Sequence, residues 1–190
     1  MKTLIFNGSP RKNGDTASLL NILTSELTGE YMTVSCYYDD ISPCIDCRVC
    51  MKERRCSLQD HMQDIYPYLE ECDNIVIASP IYFSELTGRM LDTLSRLQIY
   101  YCARFFRNED TGIKPKRGGV ILVGGGDGEP TRAYATARTL LHHMNVSDAD
   151  MFPLICSHST NTVPAADNGE AVSGVHRLAA FLGDRKEERL

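Results

Sequence analysis

The chemistry-bearing residues of this chain begin with a run of thiols. Cys44, Cys47, Cys50 and Cys56 follow one another with two, two and five residues between them. Four thiolates this close suit a [4Fe–4S] cluster. Structural zinc more commonly uses two close pairs set apart by a longer stretch, so zinc matches the spacing less well. Free thiols are the third reading. Arg48, Lys52, Arg54 and Arg55 lie among the cysteines and would offset the charge of an anionic cluster. The remaining cysteines, Cys36, Cys72, Cys102 and Cys156, are scattered and read as small buried hydrophobes. His142 and His143 are adjacent, so on a helix they diverge and make no joint metal site.

Three further segments have the composition of ligand-binding loops. Gly8-Ser9-Pro10-Arg11-Lys12-Asn13-Gly14-Asp15-Thr16 combines small residues, hydroxyls and an arginine ahead of a helix. Backbone N–H groups and the helix dipole favour an anion such as phosphate at such a place. The segment matches neither GxxxxGK[ST] nor GxGxxG. Ser79-Pro80-Ile81-Tyr82-Phe83-Ser84 could wall a flat heterocycle, although taken alone Tyr82 and Phe83 read better as a plug in the core. Gly124-Gly125-Gly126-Asp127-Gly128 would let backbone approach a ligand closely, or serve as a plain connection. Each signal is weak alone; the three gain weight by falling after strands.

Those strands alternate with helices. Short apolar runs at Lys2–Asn7, Met32–Cys36, Asn74–Ser79, Gly118–Gly124 and Asp150–Cys156 read as strands. Apolar residues at helical spacing place helices at Thr16–Leu27, Asp60–Cys72, Leu86–Tyr101, Thr131–Met144 and Glu170–Leu182. Pro67 predicts a break or a late start in the second of these. Arg104–Arg117 reads as a long surface loop, and the cysteine-rich segment at about 40–59 is denied regular structure by its turn residues. The alternation predicts an α/β fold: a doubly wound, three-layer sandwich on a five-stranded parallel sheet of order 2-1-3-4-5. Pro153 cannot donate to a central ladder and assigns the fifth strand to an edge. The three loops then share the carboxyl edge of the sheet, where such folds bind ligands.

Composition sets the outer bounds. The chain has 190 residues, 43% hydrophobic and 24% charged, which predicts one globular domain over 1–190 with no repeat or linker. The net charge of −5 gives no general basic footprint for nucleic acid. No apolar run approaches a membrane span. The apolar residues Met1–Phe6 are too few for a secretory h-region, so the expectation is a cytoplasmic protein with reduced thiols.

The combined motifs resemble the flavodoxin-like NAD(P)H-dependent FMN reductases. Gly8 to Thr16 is similar to that family's GSPRKxGNT loop, and Ser79-Pro80-Ile81-Tyr82-Phe83 with Gly88 and Leu91-Asp92 is similar to its flavin-ring loop and helix. The four-cysteine spacing resembles its iron–sulfur flavoprotein branch. The resemblance runs from Met1 to about His158. It implies the flavodoxin-like fold, with FMN as cofactor. Ser9, Arg11, Asn13, Asp15, Thr16 and Ala17 would hold the phosphate, and Pro80, Ile81, Tyr82 and Phe83 would contact the ring. Gly124, Gly125 and Gly126 would close over it, and Cys44, Cys47, Cys50 and Cys56 would hold the cluster. Family members work as homodimers or homotetramers. Asp15 stands where the family motif has Asn; a carboxylate repels a phosphate dianion, so its side chain is expected to point away or to cap a helix. The family's glycine before the fourth cysteine is missing from Met51–Arg55.

The implied activity is electron transfer from NAD(P)H or a ferredoxin-like protein donor, through flavin, to a small-molecule or protein acceptor. The cofactor carries that chemistry, and no side-chain acid or base is assigned. Two rival readings are a non-enzymatic flavodoxin-type carrier and a metal-stabilised interaction protein without flavin.

Overall fold

Alternate side chains of each central strand leave the sheet on opposite faces, and both faces are covered. The computed structural model describes residues 1–184; the last residues of the expected domain, 185–190, lie outside them. Strands β1 (Lys2–Asn7), β3 (Asn74–Pro80) and β4 (Lys116–Val123) are buried almost throughout. Continuous apolar runs of this kind suit parallel strands buried on both sides. Leu4, Phe6, Ile75, Ile77, Val120 and Leu122 enter one core, while Ile5, Val76, Ala78, Ile121 and Val123 enter the other. The first core is closed by α2 (Met62–Glu71), α3 (Gly88–Leu94) and α5 (Thr131–His143). The second is closed by α1 (Asp15–Glu26) and α6 (Gly169–Gly183).

All recorded strand pairings are parallel, in the order β2-β1-β3-β4-β5, with β2 at Glu30–Ser35 and β5 at Val146–Met151. The expected topology holds. The expected fifth strand, however, is two pieces. A short β6 (Ile155–Ser157) pairs with the outer half of β4, beyond the half that pairs with β5. Pro153 sits in the gap, where its missing N–H breaks no ladder.

Three other expectations are corrected. Pro67 does not break α2; the helix starts at Met62 and runs through it. Pro67 is exposed, so the Gln63 carbonyl it frees is left on the solvent side. The helix expected to end at Tyr101 runs on: a 3-10 turn at Ser95–Leu97, α4 (Gln98–Cys102) and a π-helical turn at Ala103–Arg107 follow α3. The loop expected at Arg104–Arg117 is therefore only residues 108–115. Its last expected members are in β4, and Lys116 is buried. The Lys116 Nζ donates to the Cys72 carbonyl at 2.5 Å and lies 3.4 Å from that of Glu70, a cation set on the C-terminal end of α2.

Two glycines set the spacing around β4. A Cβ on Gly118 would lie 2.8 Å from Val146, and one on Gly119 would lie 2.6 Å from Leu178 of α6. Gly119→Ala is expected to cost about 1–3 kcal/mol, the range for overpacking a filled core. Denaturant unfolding checks it, and the cost should shrink when Leu178 is also Ala, because the clash partner is then gone.

Candidate functional site

The carboxyl edge of the sheet opens as a cleft of about 200 Å³ lined by Ser9, Arg11, Asp15, Thr16, Pro80, Ile81, Tyr82, Gly125 and others. The loop after β1 is held from below. Gly8 N–H donates to the Ala78 carbonyl at 2.8 Å, and Thr87 donates its hydroxyl to the Gly8 carbonyl at 2.9 Å. Thr87 N–H in turn donates to Ser79 Oγ at 3.2 Å, joining the loops after β1 and β3. A Cβ on Gly8 would meet Thr87 Oγ1 at 2.9 Å, so only glycine fits there.

The head of α1 presents free N–H donors at this edge. Its first-turn N–H groups, those of Asp15, Thr16 and Ala17, have no intrahelical acceptor. The N-cap residue Gly14 supplies no side-chain acceptor either. Ser9 Oγ stands 3.2 Å from Arg11 N, which folds this loop back over the helix end. Asp15 does not compete for the anion as an acceptor would. Its Oδ1 accepts from Ala165 N–H at 2.8 Å, capping the 3-10 turn Ala165–Asp167.

The sequence-derived site is thus gathered in part. Asn13, Ala17, Phe83, Gly124 and Gly126 do not line the cleft. Ala17 is buried beneath the head of α1, and Asn13 points to solvent. Tyr82 and Phe83 do not plug the core: Tyr82 is exposed and Phe83 is 99% exposed on a left-handed backbone (φ 52°). The glycine loop is not loose. Gly124 N–H donates to Ser157, and the N–H groups of Ser159, Thr160 and Asn161 donate to Gly126, Gly124 and Gly125. A fourth loop, 158–162, is therefore stitched to it, and Thr160 and Asn161 join the cleft wall. Sequence reading passed over them. Their signal was a run of hydroxyl and amide residues immediately after the last strand.

The second site is the cysteine segment. Cys44, Cys47, Cys50 and Cys56 line one cavity of about 180 Å³, together with Arg96, Ile99, Cys102 and Phe106. The chemistry of this donor set fits a thiolate-bound metal centre, and Arg96 brings a buried, unpartnered Nε to the same wall. The thiols do not converge, however; among the described residues no three His, Cys, Asp or Glu side chains are gathered at metal-holding distance. Two of them have another partner in reach. Cys47 Sγ lies 2.9 Å from Ser57 Oγ, a contact that lowers the thiol pKa. Cys50 Sγ lies 3.5 Å from Cys102 Sγ, and burial followed by this neighbour pushes Cys50 up to about 12. Cys36, Cys72 and Cys102 are buried as expected, but Cys102 is not an isolated apolar filler, and Cys156 is half-buried against His158 at 3.2 Å.

An ion pair holds this segment to the helices. Arg96 and Asp60, with side chains 1% and 7% exposed, meet through Nη1–Oδ2 at 2.5 Å and Nη2–Oδ1 at 3.2 Å. Burial alone would raise the Asp60 carboxyl. The hydrogen bonds from Arg96 and from the Ser42 and Met62 N–H groups outweigh it, and hold the carboxyl below its ordinary 3.8.

The topology and the cleft at its carboxyl edge define a flavodoxin-like, doubly wound class of protein. The family model for NADPH-dependent FMN reductase matches residues 1–154, and the chain belongs to that family of flavin-dependent oxidoreductases. Curated relatives include an iron-sulfur flavoprotein of Archaeoglobus fulgidus, 30% identical over 133 residues (68% of this chain, 57% of that protein). Another, from Methanocaldococcus jannaschii, is 29% identical over 129 residues (65% of this chain, 62% of that protein). The chain thus spans about three fifths of these relatives' length. Similar solved structures include Smu.1420 from Streptococcus mutans UA159 (TM-score 0.69, 13% identity, 94% of this chain and 98% of that one). An FMN-dependent NADH-azoreductase from Bacillus anthracis, solved with FMN, has TM-score 0.63 and 15% identity over 96% of this chain and 99% of that one. No helix among the described residues is long and apolar enough to cross a membrane.

Asp60→Asn leaves the Arg96 guanidinium buried without its counter-ion and is expected to cost about 3–5 kcal/mol. The sign in pH follows from the lowered carboxyl. Its contribution is complete above 3.8 and is lost as pH falls through the folded-state value below that. Acid unfolding followed by circular dichroism should therefore be less steep below pH 3.8 in Asp60→Asn than in the parent chain.

Proposed function

We propose that this protein is an FMN-dependent oxidoreductase that passes electrons from NAD(P)H or a ferredoxin-like donor to a separate acceptor, and that it carries a [4Fe–4S] centre. The observation that carries the flavin reading is the uncapped head of α1, facing the same cleft as Ser9, Arg11 and the partly apolar wall of Ile81 and Tyr82. One end of that cleft suits a phosphate and the other a flat ring. Ser9, Arg11 and Thr16, with the N–H groups of Asp15, Thr16 and Ala17, would hold the phosphate. Pro80, Ile81 and Tyr82 would flank the ring. The Gly124–Gly126 backbone, braced by Thr160 and Asn161, would border it. FMN when bound supplies hydride acceptance and stepwise electron release.

The names of the curated relatives and the shared cavity support Cys44, Cys47, Cys50 and Cys56 as ligands of the cluster. A cluster there supplies one-electron transfer. Arg96 would face its negative charge from the cavity wall. We further propose one domain, a cytoplasmic setting supported by eight free cysteines, and a homodimer or homotetramer supported by exposed Phe83, Phe105 and Phe106.

Anaerobic purification followed by FMN, iron and sulfide assays tests the reading. Bound FMN that bleaches with NAD(P)H, with about four iron and four sulfide per chain, is the expected result. Flavin without metal would remove the cluster, and failure to bind FMN after reconstitution would remove the whole reading. A finer outcome concerns Asp15. Asp15→Asn keeps an acceptor for Ala165 N–H and removes a negative charge near the phosphate, so FMN affinity should rise by about 1 kcal/mol, roughly fivefold. Fluorescence titration measures it; weaker binding would mean that the carboxylate itself contacts the flavin.

A further inference from the structure

Five thiols, not four, line the cavity of the cysteine segment. The fifth, Cys102, belongs to α4 and is far from the others in sequence. It is nevertheless the one in contact: Cys50 Sγ and Cys102 Sγ are 3.5 Å apart. Two further features fix this pair. Cys50 lies in the 3-10 turn Val49–Met51, and its carbonyl accepts a hydrogen bond from Arg107 Nη1. Arg107 closes the π-helical turn that directly follows Cys102, and its side chain is only 5% exposed. The backbone of Cys50 is thus tied to the same helical segment that carries its thiol partner. Disulfide closure needs the sulfurs to approach to about 2.05 Å, a displacement of about 1.5 Å from where they stand.

We propose that Cys50 and Cys102 form an intramolecular disulfide when the metal-free chain meets a small organic disulfide. The Cys50 thiolate, scarce at neutral pH because burial holds its thiol up at about 12 and formed in alkaline solution, attacks one sulfur of that molecule, whose S–S bond breaks and releases one thiolate. The Cys102 thiolate then attacks the Cys50 sulfur of the mixed disulfide, forming the Cys50–Cys102 bond and expelling the second thiolate. The two protons lost by the cysteines go to the two released thiolates. Two protein thiols are oxidised and one small disulfide is reduced. The open cavity admits the reagent to Cys50, which is half-buried, while buried Cys102 acts as the resolving thiol. The bond withdraws one member of the Cys44, Cys47, Cys50 and Cys56 set. The oxidised chain is therefore unable to present four thiolates to a metal.

The test uses the full chain, freed of metal by chelation and reduced, then exposed to oxidised glutathione in alkaline solution. Thiols are counted in denaturant and the cross-link is mapped after trypsin. Cleavage following Arg48, Lys52, Arg96 and Arg104 leaves Cys50 alone in 49–52 and Cys102 alone in 97–104, apart from every other cysteine. The expected result is the loss of two of the eight thiols and a linked 49–52/97–104 pair. Cys102→Ala should keep all cross-links away from Cys50, leaving it free or glutathionylated. Cys50→Ser, in a half-exposed turn, gives the same reading from the other side should Cys102→Ala fold poorly. No thiol loss, or a cross-link between other cysteines in the parent chain, overturns the proposal. None of these readouts depends on flavin or iron, so they stand apart from the assays of the proposed function.

Discussion

Between β2 and α2 the chain runs from residue 36 to 61 with almost no regular structure, and the buried Arg96–Asp60 pair is what gives that segment a fixed path. Asp60 accepts from the N–H groups of Ser42 and Met62, and Arg96 donates to the Ser42 carbonyl, so both ends of the cysteine segment meet at one ion pair. Neighbouring contacts extend the clamp. Arg89 donates to the carbonyls of Cys36 and Ile41, and Cys44 N–H donates to Ser95 Oγ. Burying two charges gives little net stability compared with an apolar pair of the same volume. Its value here is positional. An apolar pair could close the same space but could not select the Ser42 backbone as its partner.

The cleft at the carboxyl edge of the sheet has a different origin. Parallel strands end together, and right-handed crossovers leave their connecting loops on one edge. The loops after β1, β3, β4 and β6 meet there because topology puts them there. Local bonds then fix their shape: Thr87 links the loops after β1 and β3, and the ladder from Gly124 through Asn161 links those after β4 and β6. The result is two stitched pairs of loops on either side of one gap.

This difference explains what could be read from the sequence. The continuous apolar runs of β1, β3 and β4 could have no other use, so order and class were legible. The Gly8–Thr16 motif and the four cysteines were legible because their spacing is local. Pro67 was misread because its cost depends on which side of the helix faces solvent, and that is a tertiary fact. The continuation of the helix to Arg107 was missed for a similar reason: a charged stretch such as Arg104–Arg117 looks like a loop until the cysteine segment packs on its first turn. Cys102 gave no signal at all, since its partner is more than fifty residues away. Phe83 was expected against the ring, but nothing local told that its backbone would turn left-handed and leave the side chain 99% exposed.

The helical stretch from Gly88 to Arg107 joins the two sites mechanically. At its head, Thr87 supports the floor of the carboxyl-edge cleft; eight residues on, Ser95 holds Cys44, and Arg96 holds Ser42 and Asp60. Eight residues of helix rise about 12 Å, so both sites hang on one short, rigid strut. Its pitch changes only beyond Leu94, on the cysteine side, through a 3-10 turn and then a π-helical turn. Irregular turns of that kind inside a helix commonly mark functional positions. Here they rotate Cys102 and Arg107 onto Cys50, whereas the regular turns of α3 keep Met90 and Leu94 in the core.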